Sequence, residues 1–150
     1  MKVITKNKKA FFNYEILDTF EAGIALLGSE VKSVRRGGVS LKESYAEIRD
    51  GEVFLLSCHI SPYEPANRLN HDPLRIRKLL LHRREIKRLT GKIKERGLTL
   101  VPTRVLISDR GLVKLEIALA RGKRVHQKRE VIRERDRDRE MRREIKHYQS

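Results

Sequence analysis

The last thirty residues, 121–150, cannot fold by themselves, and this places the whole folding problem in the first 120. They hold about twice as many Lys and Arg as Asp and Glu and few apolar side chains. Such a segment buries too little hydrocarbon to offset the entropy of ordering its backbone. From Arg133 to Glu140 the charges alternate strictly, basic on odd positions and acidic on even. In a helix that spacing sets like charges at i,i+4 against opposite charges at i,i+3, and the two sets roughly offset. With no apolar face to bury, an isolated helix there is marginal in water. Met141, Ile145 and Tyr148 form a stripe only if a helix does form. The tail is therefore expected to be disordered when free and helical on a partner, and its sign makes that partner a polyanion. A frayed terminus whose apolar residues do nothing is the plainer alternative.

The rest of the chain predicts one globular unit, 1–120, followed by the tail, 121–150. Lys and Arg number 35 against 20 Asp and Glu, a formal charge of +15. Solubility alone does not need that excess, and nucleic acid is the first hypothesis for what does. The competing reading is a solvated surface of the thermophilic kind, but such a surface has more nearly balanced signs. Cys58 is the single cysteine, so no internal disulfide forms and a reducing compartment is expected. The lysines of 1–10 precede no apolar stretch, and no window has the roughly 20 apolar residues that span a bilayer. The expectation is a cytoplasmic protein with no membrane partner.

Residues 2–9 read as a basic lead-in with little to bury. In 13–25, Tyr14, Ile16, Asp18, Phe20 and Ala22 share one parity, the alternation of a half-buried strand. Ser29 is the expected N-cap of a short helix over 30–36, with Val31 and Val34 toward the core, Gly37 as its stop, and Lys32, Arg35 and Arg36 outside. Strands at 44–48 and 52–60 flank an Asp50-Gly51 turn, a strong hairpin signal. The Pro-bearing stretch 61–77 is expected to be a long loop. Ile86, Leu89 and Ile93 predict a helix over 82–96 closed by Gly97. A second hairpin joins 98–108 to 112–120, with Val113, Leu115, Ile117 and Leu119 on one side. The result is a mainly β fold with two or three helices, a small antiparallel barrel of the oligonucleotide-binding (OB) type.

Catalytic and metal-binding patterns are absent. The five histidines are scattered, and Cys58 and His59, adjacent on a strand, point to opposite faces and make a poor metal pair. No phosphate loop or nucleophile elbow occurs, so no cofactor, metal or enzymatic role is expected. Four Tyr and four Phe are too few for base stacking to be the main mode of recognition. Shape and phosphate contacts to a folded RNA suit the chain better.

Separate stretches resemble one family. The run from Phe20 to Arg35, FEAGIALLGSEVKSVR, resembles the EAGxxLxGxEVKSxR pattern of the SmpB family, the SsrA-binding proteins of trans-translation. Ser44, Tyr45 and the Arg49-Asp50-Gly51-Glu52 turn resemble its next block. His71-Asp72-Pro73 with Arg75, Arg77, Lys78, Leu79, Leu80 and Leu81 resembles the middle block. Arg121-Gly122-Lys123-Arg124 with His126, Lys128 and Arg129 resembles the terminal one. Gln127 stands where that family commonly has a carboxylate. The resemblance spans about Asn7 to Arg129.

What it implies is an OB-type barrel that binds the tRNA-like domain of transfer-messenger RNA and enters a stalled 70S ribosome. There the protein stands in for the anticodon stem at the 16S rRNA of the decoding centre, and the tail runs helically into the empty messenger channel. The incomplete peptide is then tagged for degradation. By the same resemblance Asn7, Glu21, Lys32, Arg35, Lys78 and Leu80 are associated with RNA binding. Gly122, Lys123, Arg124, His126, Lys128, Arg129, Met141 and Ile145 are associated with the ribosome. A monomer is expected.

Two of these positions are ambiguous on chemistry alone. Glu21 either accepts from base amino groups and ribose hydroxyls or holds a basic neighbour in place. Leu80, in an apolar run, points to core more than to interface. The rival functions are a barrel bound permanently to ribosomal RNA and an RNA-cleaving or modifying enzyme built on His71 and Asp72.

Overall fold

The computed structural model describes residues 1–64, 70–94, 97–123 and 139. In chain order the elements are β1 (Lys2–Lys6), α1 (Lys8–Asn13), β2 (Tyr14–Ile24), α2 (Gly28–Arg35), β3 (Val39–Ser40), β4 (Tyr45–Arg49), β5 (Glu52–Leu56), β6 (His59–Ile60), β7 (Arg77–Leu80), α3 (Arg83–Ile93), β8 (Leu98–Ile107) and β9 (Val113–Gly122). Strands β8, β4, β5, β7, β2 and β9 follow one another in antiparallel pairs, and β9 returns to β8. That closes the ring, which removes the exposed edges an open sheet would carry. The fold is the expected mainly β barrel, and among the described residues it carries three helices of eleven residues or fewer where two or three were expected.

Period-two alternation builds the wall. Along β2, Tyr14, Ile16, Asp18, Phe20 and Ala22 are the less exposed set, with a bulge between Ile16 and Asp18 where β2 pairs with β9. Asp50 and Gly51 both have positive φ, 51° and 75°, as a tight turn between paired strands requires. Leu55, Val53, Leu79, Leu100, Leu115 and Ile117 fill the interior. Leu89 of α3 is fully buried in the same cluster, with Ile86 and Ile93 packed at its edge, so the three-to-four spacing marks the helix face that closes the barrel.

Four expectations change. The basic lead-in is not bare: Lys2–Lys6 pairs with β8, and α1 follows at once. Ala10 of α1 packs with Val101, Ala118 and Ala120 in a second apolar cluster on the other face of the β8 and β9 pair. Helix α2 starts earlier than expected, with Leu27 rather than Ser29 at its N-cap. Strand β7, unread within the long loop and its flank, is formed by pairing with β2 and β5, a long-range contact that 4 residues do not announce. Finally β9 runs to Gly122, past the expected end at Ala120.

Candidate nucleic-acid interface

Three of the expected RNA-binding residues share one outer surface of the barrel. In β7, Arg77 and Leu79 point inward while Lys78 and Leu80 point outward, because successive strand side chains alternate. Leu80 pairs with Gly23, and directly opposite residues face the same side. Gly23 lets Leu80 lie close, since a Cβ there would meet the Leu80 Cβ at 3.1 Å. Glu21 is the next residue on that face of β2, and it is exposed. The apolar reading of Leu80 as core is corrected: it is 52% exposed while Leu79 is 1% exposed. Lys78 Nζ reaches Glu52 at 3.2 Å, a solvent-exposed pair of small energetic weight that a phosphate can displace.

Glu21 lies opposite Glu116 of β9. Facing carboxylates repel, and Glu116 turns toward β8, where Thr103 Oγ1 donates to it at 2.7 Å and Arg104 lies at 3.4 Å. Among the described residues no basic side chain pairs with Glu21. The arrangement leaves its carboxylate able to accept hydrogen bonds from outside.

Helix α2 divides charge between its two sides. Lys32, Arg35 and Arg36 lie on the outer side, as expected, and all three are exposed. Arg35 Nη2 donates to the Gly111 carbonyl at 3.0 Å, tying the helix to the β8–β9 turn. The inner side carries Ser29, Glu30, Ser33 and Val34, where the sequence pointed to Val31 and Val34; Val31 is only half-buried. Ser29, the expected cap, instead meets His71 Nδ1 at 2.9 Å.

Glu30 is the buried charge at this site that sequence reasoning missed. Its side chain is wholly buried, and it accepts from the Leu27 amide, from Arg75 Nη2 and from Arg77 Nε. Burial by itself would raise its pKa. The hydrogen bonds from Arg75, Leu27 and Arg77, with the Arg77 charge, outweigh this and hold it below the ordinary carboxylate value. Arg77, equally buried, also donates to the carbonyls of Cys58, Asp72 and Pro73. One ion-pair network thus fixes α2, β7 and the 72–76 segment to one another. The available signal was two arginines, 75 and 77, at alternate positions entering an apolar strand.

Asn7, expected at the RNA contact, is an anchor within the fold. It is 6% exposed, its Oδ1 accepts from Ala10 N, and its Nδ2 donates to the carbonyls of Leu41 and Pro102. Both amide protons are used, which leaves no donor for a ligand. It caps α1 and pins it to β8. Gly122 ends β9, and Lys123 N and Nζ donate to the carbonyls of Asn13 and Phe11. Arg124, His126, Lys128, Arg129, Met141 and Ile145 lie outside the described residues.

His71, 6% exposed, also bonds Ile60 through Nε2 at 2.9 Å. A carbonyl only accepts, so Nε2 carries the proton and both ring nitrogens serve structure. Asp72 accepts from Leu74 N. The pair an RNA-cleaving reading would use is committed to shaping its own loop. Cys58 is buried. Among the described residues no group of three metal-ligating side chains occurs and no helix is long and apolar enough to cross a membrane. The chemistry on offer is outward cations for phosphate, an apolar contact at Leu80 and an acceptor at Glu21.

Comparison with known proteins points to one family. The family model described as SmpB protein matches residues 4–147. The SsrA-binding protein of Symbiobacterium thermophilum is 55% identical over 143 residues, covering 95% of this chain and 90% of its own. That of Moorella thermoacetica is 52% identical over 149 residues, covering 99% and 96%. A solved chain described under "tmRNA-SmpB: a journey to the center of the bacterial ribosome" superposes with a TM-score of 0.69 at 48% identity, covering 86% of this chain and 94% of that one.

Proposed function

The chain belongs to the SmpB family, and on that premise we propose that it is an RNA-binding adaptor of trans-translation, with transfer-messenger RNA and the bacterial ribosome as its partners. The barrel grips the tRNA-like domain of that RNA through the outer surface of β2 and β7 with the outer side of α2. Lys32, Arg35 and Lys78 supply phosphate contacts, Leu80 an apolar one and Glu21 an acceptor. Asn7 contributes by holding α1. The RNA and protein enter a stalled ribosome together, the body occupies the place of the anticodon stem, and residues beyond Lys123 reach the decoding centre and the messenger channel. The protein supplies no catalysis; rescue and tagging follow from placement.

The observation that supports this reading best is the clustering of Glu21, Lys78 and Leu80 on one outward face. Gly122 and Lys123 are tied into the body, so the natural cut between the two roles falls after Lys123. A chain truncated there is expected to bind transfer-messenger RNA like the full chain and to fail at peptide tagging on stalled ribosomes in a reconstituted translation assay. Loss of RNA binding on that truncation would contradict the division of labour.

A further inference from the structure

One cleft borders the outer side of α2, between the C-terminal end of that helix and the strand-exit segment 61–64. It has a volume of about 350 Å³ and is lined by Ser33, Arg36, Gly38, Ser61, Pro62, Tyr63 and Glu64. Volumes of this order are those of small-ligand clefts. The Tyr63 ring is its aromatic wall. Arg36 stacks over the ring with the guanidinium carbon 4.6 Å from the centroid, and Lys32 Nζ lies 5.5 Å from it. Arg36 Nη2 also donates to the Tyr63 hydroxyl at 3.2 Å. The backbone beneath the ring is clamped: the Asn70 side chain accepts from Tyr63 N and donates to Tyr63 O, both at 2.8 Å. The ring is thus held by a side chain across the loop and by a cation from the neighbouring helix, before any ligand arrives.

The lining chemistry selects among anionic ligands. A free phosphate inside the cleft would face the Glu64 carboxylate. A nucleobase suits it better, because Ser33 and Ser61 hydroxyls, a guanidinium and a carboxylate offer both donors and acceptors to a base edge, and the Tyr63–Arg36 stack offers a flat surface. Lys32 and Arg36 then stand where the attached phosphate emerges. We propose that this cleft takes one unstacked nucleotide of the bound RNA, its base against the Tyr63–Arg36 stack and its phosphate at Lys32. The proposal rests on the RNA-binding reading and adds a site to it. Four Tyr and four Phe gave no ground for a general stacking mode, and one preorganised ring gives ground for a single-base contact.

The test uses the full chain and a folded tRNA-like domain of transfer-messenger RNA, with thiouridine in its loops for photocrosslinking. Tyr63→Leu is expected to weaken binding roughly fivefold to a hundredfold, the range for removing one base stack, while Tyr63→Phe, which keeps the ring, binds like the wild type. Irradiation of the wild-type complex is expected to join RNA to the peptide carrying Tyr63. Wild-type affinity in Tyr63→Leu, or crosslinks only to peptides of β2 and β7, would overturn the cleft and leave the RNA-binding reading standing. A wild-type chain that fails to bind the RNA would overturn both. The crosslink is read on the wild-type chain, so it decides the matter even where Tyr63→Leu fails to fold.

Discussion

Arg77 and Lys78 are neighbours on β7 and lead opposite lives. Arg77 is wholly buried and bonded to Glu30 and three carbonyls; Lys78 is exposed and pairs with Glu52 across solvent. The same division runs through α2, where Glu30 faces in and Lys32, Arg35 and Arg36 face out. The comparison teaches that a charge excess of +15 is not a count of RNA contacts. Some cations hold the scaffold together, and others are available to a partner because the interior makes no use of them.

The sharpest way to break this contrast is to remove charge from the inner side. Arg77→Met leaves the Glu30 carboxylate buried with one fewer partner and takes the Arg77 donor from the Cys58 carbonyl, while the Asp72 and Pro73 carbonyls keep the amides of Arg75 and Ile60. It is expected to cost about 3–5 kcal/mol, the range for breaking one side of a buried pair, read by urea unfolding. A loss below about 1 kcal/mol would mean that the network is not holding the scaffold.

Glu30 gives the contrast a pH dependence. Its folded pKa is lowered from 4.5, so as pH falls the unfolded chain takes up the proton first and the stability this group provides declines. That stability is fully present above about 4.5 and is lost as pH passes down through the lower folded value. Glu30→Gln is expected to be less stable than the wild type at neutral pH, with the gap narrowing below that point. A gap independent of pH would contradict an ionised Glu30.

On the outer side, Lys32→Gln with Lys78→Gln is expected to leave stability within about 0.5 kcal/mol and to weaken RNA binding. The slope of log affinity against log salt should fall by roughly 0.7–0.9 for each phosphate no longer neutralised. An unchanged slope would remove those two lysines from the interface. The smallest effect is at Cys58. Burial pushes its thiol up to about 11, against a smaller opposing pull from Arg77, so alkylation of the native protein at pH 8 is expected to be negligible and to appear on unfolding.

What the chain disclosed by itself follows the range of the forces involved. The Asp50-Gly51 turn, the parity of β2, and the Ile86, Leu89, Ile93 stripe are local patterns, and the fold follows them. Strand β1 was illegible because Lys2–Lys6 is mostly exposed and owes its form to pairing with β8, about a hundred residues away. Glu30 was missed for a related reason: a carboxylate in a helix reads as surface until Arg75 and Arg77 arrive from another part of the chain. In the candidate site the outward cations of α2 were legible, and Lys78 came through the family pattern. Leu80 was ambiguous, since an apolar run does not say which of its members faces out; alternation from the buried Arg77 and Leu79 does. Asn7 was assigned to contact through the family pattern, and its amide is spent on capping α1 and pinning it to β8.

The measurement closest to the central claim is the affinity of the full chain for transfer-messenger RNA across a salt series, beside an equal mass of bulk ribosomal RNA. The account predicts preferential binding to transfer-messenger RNA that weakens steeply with salt and survives truncation after Lys123. Equal affinity for both RNAs, or binding that the truncation abolishes, would contradict it.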